Sequence, residues 1–274
     1  MKIMNKNTFK WIVIGGLFIV PFIPFFVSSS FFFPYITSKA FSWRILIEIV
    51  FAAWLILAAL VPEYRPKKSL ILYSLLAFLA VIGVADLLGE APIKSFWSNF
   101  ERMEGFVSLL HLGAFFLVIG SVFDENLWKK WLNANLIASA IMIVYCLFQL
   151  AGAIEIRQGG ARVDGTFGNA AYLAVYMLIN IFLSLLLYIR SRNSGIRWAY
   201  IALLVGQLAI LYYTATRGAI LGLLGGLFLM AILNIRNKEE IRVRKLSIGF
   251  LVALLILISG FFILKNTIML QNVL

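Results

Sequence analysis

The chain has 274 residues, of which 62% are hydrophobic and 13% charged, with a mean hydropathy of +0.97 and a formal net charge of +12. Soluble domains carry roughly 45–50% apolar and about 25% charged residues, so this composition excludes a water-soluble enzyme. The single cysteine, Cys146, sits inside an apolar run, which excludes a disulfide within the chain and a thiolate metal cluster.

Runs of about 20 apolar residues recur along the whole length, enough to cross a hydrocarbon core of ~30 Å. Lipid leaves unpaired backbone groups unsatisfied, so such runs form helices or a closed barrel. They lack the alternation of barrel strands. The expected fold is all-α, a polytopic transmembrane helical bundle of about nine spans with a cytoplasmic N-terminus. In chain order the spans are Trp11–Phe33, Trp43–Leu60, Leu70–Leu88, Phe106–Phe123, Trp131–Ala151, Ala171–Ile189, Trp198–Tyr213, Gly218–Ile235 and Leu246–Leu264. Pro21 and Pro24 should kink the first, which membrane helices tolerate when neighbours satisfy the freed backbone. Arg44 and Glu48, one turn apart at the start of the second, are expected to pair.

Lys and Arg orient the bundle. With the N-terminus inside, 16 of the 24 fall on the cytoplasmic side. Outside are Lys39, Arg44, Lys94, Arg102, Arg157, Arg162, Arg217 and Lys265. That bias is the positive-inside pattern. The basic balance therefore faces anionic lipid headgroups, and no nucleic-acid partner is implied. Two external connections, Asp86–Gly105 and Gly152–Ala170, are long, and the aromatic stretch Ser95–Phe100 suits a segment lying on the outer leaflet. Long loops of mixed aromatic, charged and glycine residues point to activity on the outer face.

Two stretches carry the candidate chemistry. In Arg162-Val163-Asp164-Gly165-Thr166-Phe167-Gly168-Asn169, the glycines permit tight turns and Asn169 is suited to cap the sixth span. In Thr214-Ala215-Thr216-Arg217-Gly218, a short turn opens the eighth, with Thr214 or Thr216 as its cap. Both spans start on the outer side and each is led by an arginine. An arginine in the first helical turn opposes the helix dipole, and one at the rim of hydrocarbon costs further unless paired or solvated. An anion bound there resolves both costs, because helix N-termini and guanidinium forks favour phosphate. The alternative is structural: Arg217 snorkels to the headgroups and Arg162 pairs with Asp164 or Glu155.

The order and spacing of Arg162–Leu173 and Thr214–Gly222, together with the loop Ser95–Gly105, resemble the O-antigen ligase family of bacterial membrane proteins. The resemblance implies a polytopic glycosyltransferase of the bacterial inner (cytoplasmic) membrane. Such an enzyme moves a glycan from an undecaprenyl-diphosphate carrier to a hydroxyl acceptor (lipid A-core, another glycan or a protein) on the external face. It implies no cofactor and no metal. Arg162 and Arg217 would hold the donor's diphosphate, and Gly165, Thr166, Gly168, Asn169 and Thr216 would shape the substrate site. By the same resemblance, residues 1–197 form an N-terminal transmembrane bundle with two long external loops, and 198–274 begin the ligase-like membrane domain. The family's proposed base is a histidine in a later external loop. The only histidine here, His111, lies in the fourth span, so that base is expected beyond Leu274 in a longer protein. The runner-up readings are a transporter or flippase of lipid-linked sugars, and a non-catalytic envelope-assembly protein.

Overall fold

A computed structural model describes residues 6–99, 101–157, 162–236, 244–245, 247–249, 251–253 and 256. Among them there are helices and turns and no strand. The helices are α1 (Lys6–Ile19), α2 (Thr37–Leu60), α3 (Leu70–Leu88), α4 (Pro92–Trp97), α5 (Phe106–Val122), α6 (Glu125–Leu150), α7 (Ala170–Arg190), α8 (Ser194–Tyr213) and α9 (Arg217–Arg236). Two compact units result, Met1–Ala215 and Thr216–Leu274.

Seven of these helices, α1 with its extension to Phe25, α2, α3, α6, α7, α8 and α9, are long and apolar enough to cross a membrane. α5 is apolar but shorter, at 17 residues. The third expected span coincides with α3, and the sixth, seventh and eighth lie within α7, α8 and α9. The ninth, Leu246–Leu264, falls largely outside the described residues. Lipid-facing surface accounts for what a soluble fold would not leave bare: only 6% of the α3 window is buried, and Leu70 and Leu88 are each 82% exposed. The chain fits a multi-pass membrane protein.

Three expectations are corrected. The first helix does not run to Phe33; it passes into a tighter 3-10 segment, Val20–Phe25, and ends. Beyond it Ser28, Ser29 and Ser30 compete for backbone hydrogen bonds, and the Ser28 hydroxyl accepts from Ser30 N at 3.4 Å. The second helix starts at Thr37 rather than Trp43, because Ser38 and Lys39 donate back to the carbonyls of Pro34 and Tyr35 and hold the preceding loop against the first turn. Arg44 does not pair with Glu48. It donates to the Met103 carbonyl and, at 2.7 Å, to the Ser108 hydroxyl, and Glu48 meets His111 instead.

Side-chain caps start α3, α6, α7 and α8: Ser69 accepts from Leu72 N, Asp124 from Leu127 N, Asn169 from Ala171 N and Asn193 from Ile196 N. The Asp124 cap, with Glu125 in the first turn, explains why α6 begins ahead of Trp131, since acidic groups there complement the dipole.

In the first unit α1 packs on α2 and α2 on α5, around Val13, Leu17, Val50, Trp54, Val118 and Ile119, and α3 also packs on α5. α6, α7 and α8 form a second group, joined through buried polar side chains. The Ser184 hydroxyl donates to Gln207 Oε1 at 3.0 Å, and Gln207 Nε2 donates to Ser139 Oγ at 3.1 Å. All three residues are fully buried. Unpaired amides and hydroxyls are costly in hydrocarbon, so the network fixes the register of three helices.

The proline segment of α1 is satisfied from elsewhere in the chain. Pro21 has no N–H, so the Leu17 carbonyl, four residues earlier, lacks its helical donor. The indole N–H of Trp131 supplies one at 2.9 Å. The Pro24 carbonyl, at the end of the 3-10 segment, accepts the Thr166 hydroxyl at 2.7 Å. Trp131→Phe keeps the packing and deletes the donor. It is expected to lower stability by about 1–2 kcal/mol, read as an earlier thermal unfolding midpoint in detergent, and an unchanged midpoint would contradict this role.

Candidate functional site

The candidate site is the connection from α6 to α7, and it is assembled around one buried amide. Gln149, in the last turn of α6, is 3% exposed. Its Nε2 donates to Asp164 Oδ1 at 2.7 Å and to the Glu155 carbonyl at 3.1 Å, while its Oε1 accepts from Gly165 N at 2.9 Å. Asp164 is fully buried, and its second carboxylate oxygen accepts from Arg157 N at 3.0 Å. A buried carboxylate requires such donors. The loop is thereby folded back on the helix it leaves.

Its far side is fixed to the end of α8. Val163 N donates to the Tyr213 carbonyl at 3.2 Å, and Arg162 Nε donates to the Thr214 carbonyl at 2.9 Å. Arg162 is an exposed residue, so the contact orients its side chain without burying it.

Gly165–Phe167 form one 3-10 turn, Gly168 follows with φ 62°, and Asn169 caps α7 with its side-chain oxygen 2.8 Å from Ala171 N. Gly165 also has positive φ, 56°, a region other residues adopt at a cost. Space adds to the requirement. A Cβ on Gly168 would stand 2.6 Å from Tyr35 Cδ2, and one on Gly165 would stand 3.0 Å from Met142 Sδ. The expected site residues Gly165, Thr166, Gly168 and Asn169 are thus brought together as the frame of the loop. The Thr166 hydroxyl is bound to Pro24, and the Asn169 amide is used as a cap.

Residues that periodicity did not single out complete the surface. Lys39 donates from Nζ to the carbonyls of Tyr35 and Thr166 at 2.8 and 2.7 Å, and lies against the rings of Tyr35 and Phe167 at 5.6 and 5.9 Å. Arg157 lies 5.5 Å from the centre of the Tyr35 ring. Burial pushes the Tyr35 phenol above its ordinary range, with the Arg157 charge pulling it back. Three cations, Lys39, Arg157 and Arg162, therefore decorate one loop. Beside it lies an open groove of about 330 Å³ lined by Tyr35, Lys39, Trp43, Glu104, Phe167 and Tyr172. The sequence signal for Lys39 was its position among Phe31–Phe41, where a lysine in an aromatic run calls for a local acceptor.

In the second unit, Arg217 is the first residue of α9, and the Thr216 carbonyl accepts from Ala219 N and Ile220 N at 3.1 and 3.2 Å. Ahead of it the α8–α9 turn includes Ala215 at φ 47°, and the Thr214 hydroxyl donates back to Leu211 O at 2.6 Å. No group of three or more His, Cys, Asp or Glu placed to hold a metal ion occurs among the described residues.

Comparison with protein-family models, with curated proteins and with solved structures finds no match to this chain.

Proposed function

We propose that the protein is a membrane glycosyltransferase of the O-antigen ligase type. It would transfer a glycan from an undecaprenyl-diphosphate carrier to a hydroxyl acceptor at the outer face of the bacterial inner membrane, in cell-envelope polysaccharide synthesis. The observation that carries this reading is the way the α6–α7 connection is built. A buried Gln149–Asp164 frame presents the exposed guanidinium of Arg162, with Arg157 on the same loop and Lys39, in the first turn of α2, bonded to it.

A diphosphate leaving group concentrates negative charge that must be neutralised as it departs, and fixed cations do this with little reorganisation. Guanidinium groups match phosphate oxygens in bidentate geometry. Arg217, opening α9 three residues of chain after Thr214, is the second cation assigned to the diphosphate, on sequence order alone. The aromatic side chains Tyr35, Trp43, Phe167 and Tyr172 give the neighbouring groove flat apolar faces of the kind sugar rings and isoprenoid chains pack against. The distribution of Lys and Arg supports placing this end of the first unit outside, with the N-terminus in the cytoplasm.

The competing reading, movement of a lipid-linked sugar without chemistry, differs in its product. In liposomes holding a lipid-diphosphate-linked oligosaccharide and a hydroxyl-bearing acceptor, the expected result is a glycosylated acceptor and free lipid diphosphate. Movement of intact donor between leaflets with no covalent product would replace the transferase by a flippase.

A further inference from the structure

α2 and α5 meet through a titratable pair that the donor site does not use. His111 Nδ1 lies 2.7 Å from the Val107 carbonyl oxygen, and Nε2 lies 3.1 Å from Glu48 Oε1. A carbonyl oxygen only accepts, so Nδ1 carries a hydrogen. In a neutral imidazole that leaves a bare lone pair on Nε2. An ionised carboxylate is also only an acceptor, and two lone pairs facing each other at this distance repel. The contact is attractive only with a further proton between them, held on Nε2 as an imidazolium or on Glu48 as a carboxylic acid.

Glu48 is midway along the 24-residue α2, and its side chain is 65% exposed on the outside of the helix pair, against 13% for His111. An ionised carboxylate at that depth is costly in a bilayer. With the proton, the pair is neutral overall. Few other charges face it. On α2 there are Lys39 and Arg44; Arg44 donates to Met103 and Ser108, and its charge also acts on Glu48, one turn away. The elements packed against α5 bring Asp86 and Tyr73 on α3, Lys94 on α4, Glu63 and Tyr64 in the turn after α2, and Lys6 and Lys10 on α1. Glu101, Arg102 and Glu104 precede α5. None of these forms an ion pair within 4.0 Å of Glu48 or His111. The ring of Trp43, 6.1 Å from that of His111, flanks the contact.

We propose that Glu48 and His111 form an intramembrane proton-binding site, whose contact holds one proton beyond the hydrogen on Nδ1. The chain has a single histidine, so nitrogen-15 histidine labelling reports His111 alone. In lipid bilayers at pH 7, one of two patterns is expected. Either both ring nitrogens are protonated beside an ionised Glu48, or Nδ1 alone is protonated and an infrared carboxylic-acid band is present that Glu48→Gln abolishes. In Glu48→Gln the amide donates to Nε2 without an added proton, so His111 reverts to one protonated and one bare nitrogen. An unprotonated Nε2 beside an ionised Glu48 in the wild-type protein overturns the proposal, as does a proton on Nε2 with Nδ1 bare. The wild-type spectra decide even if the variant does not fold.

Discussion

Arg162→Gln is expected to cut glycan transfer by about 100-fold or more, with the protein still present and folded in the membrane. Removing one preorganised donor to a developing anionic charge typically costs about 10²–10³ in rate. Glutamine is the informative substitution because Arg162 has two roles. Its Nε holds the loop to the Thr214 carbonyl, and a glutamine amide can still donate there. The charge offered to phosphate is lost. Arg162→Ala removes both and should also lower the unfolding midpoint, so the difference between the variants separates anchoring from catalysis. Arg217→Gln should show a loss of similar size. Wild-type transfer rates in both glutamine variants, at normal membrane levels, would end the diphosphate assignment.

Gly168→Ala should destabilise the protein by roughly 2–5 kcal/mol. About 1–2 kcal/mol is the penalty for an L side chain at a left-handed φ of 62°, and about 1–3 kcal/mol more is typical of forcing a methyl into filled space. The filled space is the Tyr35 ring, which cannot retreat freely because the Tyr35 carbonyl holds Lys39. The double variant Gly168→Ala, Tyr35→Ala makes the two parts separable. Removing the ring relieves the steric part and leaves the backbone part, so the two substitutions combine to less than their sum. Strict additivity in thermal unfolding would show that the ring is not the obstacle.

The membrane helices were legible because lipid imposes one rule on every apolar run, and α3, α7, α8 and α9 follow it closely. Helix ends were less legible where charge lies inside a helix. Lys39 and Arg44 look like loop residues in a linear pattern, yet both belong to the first turns of α2, since their acceptors, Thr166 and Met103, come from distant parts of the chain. Of the candidate site, Asn169 as a cap and the glycines as turn formers could be read from residue type. Gln149 could not: it sits in the last turn of an apolar helix and looks ordinary. Its role depends on Asp164 being buried beside it, a fact of packing rather than of spacing.

The bond from Trp131 to Leu17 sets an order on biosynthesis. A ribosome adds about 5–20 residues per second, and the two partners are 114 positions apart. The nascent first span therefore spends roughly ten seconds in the membrane with a carbonyl awaiting its donor. For that interval its proline bend is an unfinished edge, and the arrival of α6 closes it.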